Sequence, residues 1–170
     1  MAILPIKTFP DPVLRRKCED AVPDTDEIRK LAAEMLETMY AAPGIGLAAP
    51  QVGVSIRLIT VDAANAFGHP DPTVFLNPRI IGSSENIAFE EGCLSLPDFT
   101  VEVDRARVVH VQFEDLDGET KTVLAEDLFA VAVQHEMDHL EGILLVDHSS
   151  SLKREMYKRK VRKRKAAENR

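Results

Sequence analysis

Apolar and polar positions along this chain change their period several times, and each change predicts an element. Ile28, Leu31, Met35, Leu36 and Met39 recur at the spacing of one helical face. Asp24, three residues before Glu27, resembles the start of a capping box, so a helix is predicted from about Thr25 to Ala41. It stops at Pro43-Gly44-Ile45-Gly46, where two glycines free the backbone to turn. Short runs follow at Ile56–Val61, Thr73–Ile81 and Ile87–Phe89, bounded by Pro, Gly and Asn, and read as strands. Val108–Phe113 and Thr120–Leu124 flank Asp117-Gly118, a hairpin turn signal. From about Glu126 to Glu141 the pattern is apolar nearly all round and ends at Gly142, which predicts a buried central helix. Before all of this, Pro5, Pro10, Pro12 and Pro23 make the first 23 residues an extended arm.

The fold class expected is α+β, with short mixed, mostly antiparallel sheets around the central helix. At 170 residues one domain over residues 1–152 is expected, followed by a basic helical tail over 153–170. The chain has 21 basic and 28 acidic residues, a net charge of −7, yet residues 153–170 hold 10 Lys/Arg against 2 acidic residues. Leu152, Met156 and Val161 form a thin apolar stripe by which such a tail helix can dock, capped by one of Ser149–Ser151. No run is long enough to cross a bilayer and no leader is visible, so a cytoplasmic protein without membrane or DNA partners is expected. Two cysteines, Cys18 and Cys93, are too few for a disulfide scaffold.

The central helix carries a conflict. Among its apolar residues stand His135-Glu136-Met137-Asp138-His139. Histidines at i and i+4 share one face and can reach one cation, with the intervening Glu leaning over its water; the plainer reading is two surface or satisfied core groups. Upstream, Glu90-Glu91-Gly92-Cys93-Leu94-Ser95 offers a cysteine just beyond a strand, either a small buried apolar group or the third ligand of an open hydrolytic site. A third segment, Gly44-Ile45-Gly46-Leu47-Ala48-Ala49-Pro50-Gln51, has small residues that let another chain approach its backbone. Asp138 can orient a ligand histidine or make a local contact. Cys18, His69 and His110 have no motif and read as bystanders.

Together GIGLAAPQ, EGCLS and QHEMDH resemble, in order and separation, the three signature motifs of the peptide deformylases, and the resemblance runs from about Leu4 to Leu152. It implies removal of the formyl group from formyl-methionyl nascent peptides, with release of formate. It implies one divalent metal on Cys93, His135 and His139, Fe(II) first and Zn(II) or another divalent ion second. It implies Glu136 as general base, Gln51 and the Leu94 N–H as oxyanion donors, and Gly46 as a backbone partner of the substrate. The residue types suit the chemistry: a metal brings the pKa of its water to ~7, and a positioned acid–base group contributes roughly 10²–10⁴ in rate.

On the same helical face before His135 lie Leu128, Val131 and Ala132, an apolar wall suited to an unbranched thioether, which Phe89 and Ile45 can complete. Many relatives carry an arginine where Thr100 stands here, and Arg105 is expected to brace Glu91. The basic tail is read as a contact for ribosomal RNA. Two rivals remain at this stage. One is an endoprotease using the same water; the other is a noncatalytic ribosome-associated module with a structural metal.

Overall fold

The computed structural model describes residues 2–169; Met1 and Arg170, the outer ends of the predicted arm and tail, lie outside the described residues. Three helices, α1 (Asp26–Ala41), α2 (Asp127–Leu140) and α3 (Ser151–Glu168), accompany five strands: β1 (Gly46–Ala48), β2 (Leu58–Val61), β3 (Thr73–Cys93), β4 (Leu96–Glu114) and β5 (Thr120–Glu126). The strands form one sheet in sequence order, and every neighbouring pair is antiparallel. The one parallel pairing among the described residues is an isolated bridge, Glu19 to Ile56. The α+β class and the predominantly antiparallel pairing are as expected; the strands join in one sheet rather than several short ones.

Why the sheet sits between two helices is visible in β2, where all four residues are buried. Leu58 packs with Leu47 and Leu76 against Ile28, Ala32, Met35 and Met39 of α1. Ile59 and Val61 point the other way, joining Phe75, Val109 and Val111 against Ala130, Ala132, Val133 and Leu140 of α2. A strand covered on both faces reads as a continuous apolar run.

The strands β3 and β4 are much longer than expected. The polar stretch Ser83-Ser84-Glu85-Asn86, which the sequence pattern predicts as a break between strands, is paired strand with register shifts near Leu76 and Ile80. In β4 the period of two is strict: Phe99, Val101, Val103 and Arg105 are buried and alternate with exposed residues. That places a guanidinium in a row of core positions. At the far end of the hairpin, Cys93 faces Leu96 across a two-residue turn, Leu94-Ser95.

The N-cap of α1 and the docking face of α3 differ from expectation, while the α3 cap is one of the three serines expected. The N-cap of α1 is Thr25, whose hydroxyl accepts from the Ile28 N–H at 3.2 Å, while Asp24 pairs with Arg29. Ser150 caps α3, which turns Tyr157 and Val161 inward. Leu152 and Met156 stay exposed, because Tyr157 fills the space between Phe9 and Phe99. Helix α2 ends as expected at Gly142, with φ +74° and so little room that a Cβ would lie 2.6 Å from the Arg15 carbonyl oxygen.

Candidate metal centre and substrate cavity

Helical geometry and the hairpin tip bring three distant residues together. His135 and His139 are one turn apart on α2, and the tip of β3 delivers Cys93; their donor atoms all lie within 4.8 Å of one another. Sγ of Cys93 is 3.4 Å from Nε2 of His139. Metal bonds of about 2.0–2.3 Å in a tetrahedral arrangement separate donors by about 3.3–3.6 Å, so the set suits one divalent cation of the first transition row or zinc. Among the described residues, Nδ1 of His139 and Oε1 of Glu136 are buried without a hydrogen-bonding partner.

The support beneath the centre is more extensive than the sequence reading held. Glu91 braces Arg105, its two oxygens accepting from Nε and Nη2 at 2.9 Å each. The same carboxylate also accepts from His135 Nδ1 at 2.9 Å, which turns Nε2 of that ring toward Cys93. Asp138, open to orienting a ligand ring or to making a local contact, accepts from Arg105 at 2.7 Å and from His148 at 3.0 Å. The sign that could have pointed to Glu91 was its register: it pairs with Val101, two residues from the cysteine on the same pleat face.

Charge follows from burial. Burial pushes the Glu136 carboxyl up to about 7, against the opposing charge of His135. For Glu91 burial also favours the protonated form, but the bonds from Arg105 and His135 outweigh it and hold the pKa below its usual value. Burial, then the charges of His135 and Arg105, hold His139 well below the ordinary histidine range, which leaves the neutral ring that a cation binds. In His135 burial has the same sense, yet Glu136, Cys93 and Glu91 prevail and raise it.

Gln51 sits in the 3-10 turn Ala49–Val52 and is buried. Its Oε1 accepts from the Ala48 N–H at 2.9 Å, which fixes the amide so that Nε2 points to Ser95 Oγ at 3.1 Å and lies 3.7 Å from Cys93 Sγ. Ser95, the last residue of EGCLS, thus positions Gln51, and its carbonyl accepts from the Phe9 N–H at 2.8 Å. Gly46 is needed for space and has no positive φ. A Cβ there would stand 2.9 Å from Cδ and 3.0 Å from Cγ of Glu136 and would overlap Oε2.

In front of the centre opens a cavity of about 470 Å³. Its walls include Ile45, Gly46, Phe89, Leu128, Val131 and Ala132, all six of the residues expected there, together with Gln51, Cys93, Leu94, His135 and Glu136. His139 is buried and is not among the residues that line it. Thr100 is on the rim, and its carbonyl is contacted by Lys153.

The description "polypeptide deformylase" belongs to the family model that matches residues 3–155. The chain belongs to the polypeptide deformylase family. It is 52% identical to the peptide deformylase of Afipia carboxidovorans over 164 residues, 96% of each chain. Against that of Desulfotalea psychrophila the identity is 48%, covering 96% of this chain and 97% of the relative. Among solved structures it resembles a Legionella pneumophila peptide deformylase, with TM-score 0.90, 40% identity and 99% of both chains covered. A structure from Ehrlichia chaffeensis in complex with actinonin matches at TM-score 0.91 and 35% identity, covering 96% of this chain and 98% of that one. The family's enzymes are metal-dependent hydrolases that remove the N-formyl group from nascent peptides, an N-terminal processing step in protein biosynthesis, and this is the activity of the chain. Among the described residues no helix is long and apolar enough to cross a membrane.

Proposed function

We propose that Cys93, His135 and His139 hold the cation of this deformylase, Fe(II) first and Zn(II) as alternative, and that Glu136, Gln51 and the Leu94 N–H perform the chemistry beside it. The observation that carries the reading is the convergence of one thiol and two imidazoles within 4.8 Å at the wall of an apolar cavity. When bound, such a cation supplies Lewis acidity that makes water acidic near neutral pH.

The chain's own residues do the rest. Glu136, with its carboxyl near 7 and Oε1 free of protein partners, takes a proton from the attacking water at that atom and delivers it to the departing amine nitrogen. Nε2 of Gln51 and the Leu94 N–H donate to the oxygen on which charge develops; losing one such donor costs roughly 2.7–4 kcal/mol in other hydrolases. The formyl-methionine side chain lies along Leu128, Val131 and Ala132, with Ile45 and Phe89 closing over it. As β1 is the outer strand of the sheet, the backbone at Gly46 can pair with an extended peptide.

The test is anaerobic purification with metal analysis, followed by formate release from a formylated dipeptide. Stoichiometric iron or zinc, formate without peptide-bond cleavage, and a loss of roughly 10²–10⁴ in kcat for Glu136→Gln are expected. Peptide-bond cleavage of an unblocked substrate would support an endoprotease instead. The reading also puts the enzyme in the cytoplasm beside ribosomes, with the exposed cations of α3 on ribosomal RNA. Tyr157 and Val161 are core residues, so the appropriate test reverses Arg159, Arg162 and Lys163 rather than deleting the helix; unaltered co-sedimentation at low salt would remove the idea.

A further inference from the structure

A second depression, of about 310 Å³, lies between α3 and the start of β4. Its floor is Phe99, which also lines the large cavity. Leu152 and Met156, one turn apart on α3, are 71% and 62% exposed at its side, and Lys153 and Lys160 flank them. Two large apolar side chains together on an otherwise basic helix serve no core here, and adjoining exposed apolar residues mark contact sites. Helix α3 also holds the rim of the large cavity in three places. Lys153 Nζ donates to the Thr100 carbonyl, Tyr157 Oη donates to the Pro97 carbonyl at 2.9 Å, and Arg164 pairs with Asp98 at 2.7 Å. The Lys153 ammonium lies 5.2 Å above the Phe99 ring.

We propose that this depression is a distal subsite for the substrate peptide, several residues beyond the formylated end. An extended chain leaving the large cavity past Phe99 and Thr100 lays an apolar side chain on Leu152 and Met156 and brings an acidic neighbour to Lys153 and Lys160. The proposal rests on the deformylation reading above. Continuity through Phe99 favours the peptide as occupant, and so does charge: the same face of a second copy would bring like-charged lysines against these.

The experiment compares kcat/KM for formate release from a formylated dipeptide with that from formylated hexapeptides, all amidated at the C-terminus, ending in Leu-Asp, Leu-Lys or Gly-Gly. The Leu-Asp peptide is expected to exceed the dipeptide by about tenfold, the gain from partly burying one leucine, and Gly-Gly to show little gain. In the Leu152→Asn/Met156→Asn enzyme the Leu-Asp to dipeptide ratio should fall toward one. In Lys160→Glu the preference between Leu-Asp and Leu-Lys should narrow or invert. A ratio that is already one in the unmodified enzyme, or that none of these substitutions changes, would overturn the subsite. If instead the double substitution abolishes a concentration-dependent self-association while the ratio stays at one, the face belongs to a second copy. Absence of formate from every peptide would refute the deformylation reading, and the subsite with it.

Discussion

Replacing Gly46 by alanine adds one methyl group opposite Glu136, at a position where glycine's freedom of φ is not in use. That methyl would stand 2.9 Å from Cδ of Glu136, and ordinary carbon contacts begin near 3.4 Å, so the carboxyl group has to retreat by about half an ångström at Cδ and by more at Oε2. A misplacement of about 1 Å costs on the order of 10²-fold in rate. Gly46→Ala should therefore lower kcat for a formylated dipeptide by about 10- to 100-fold. The donors of Cys93, His135 and His139 are untouched, so metal content should stay stoichiometric. The assay is formate release at saturating substrate, with metal analysis of the same sample. A kcat within twofold of the parent would refute the argument, and a matching loss of metal would show that the methyl disturbs the ligand set instead.

Further outcomes follow from the same geometry. Glu91→Gln should weaken metal affinity by about 10- to 100-fold, as loss of a partner beneath a ligand histidine does elsewhere; chelator competition measures it, and unchanged affinity would show that the Glu91–His135 contact is idle. Arg105→Leu strands two carboxylates and should cost about 3–5 kcal/mol in denaturant unfolding, while the rate per folded molecule falls much less. Ala132→Trp should block methionine-type substrates and leave metal content intact, and unchanged kinetics would contradict the placement of the apolar wall. The pKa of Asp147 is raised by burial but more strongly lowered by Arg15 and the Leu144 N–H. Its stabilisation is therefore present above the unfolded value of ~3.9 and lost as pH falls below it, so the stability gap to Asp147→Asn should shrink between about pH 5 and 3.

The helix periods in the sequence were sufficient to place α1 and α2 within a residue or two, because one face or nearly all faces of each are buried. The Cys93, His135 and His139 cluster was legible because two short motifs carried it, although 42 positions separate Cys93 from His135. What escaped notice has physical reasons. The middle of β3 is exposed on both faces, so no alternation marks it as strand. Tyr157 outcompeted Leu152 and Met156 for the core because it meets two aromatic rings and a carbonyl, which a helical period cannot foretell. Glu91 was read as a brace alone, since only the register of the hairpin brings it beneath His135. Cys18, a bystander by its lack of a motif, is buried in one cluster with Ile59 and Leu140, and burial pushes its thiol to about 11.

The tip of the β3–β4 hairpin carries both Cys93 and Leu94, and it is moored from outside by Phe9 and Gln51 through Ser95. Sulfur and imidazole therefore arrive on separate bodies, a ribbon and a rod, and become neighbours only when the ribbon has zipped along its length and its end is tied down. On the proposed ligand set, a copy whose ribbon has not closed offers two rings without their thiol, so a complete donor set for the cation requires finished tertiary structure.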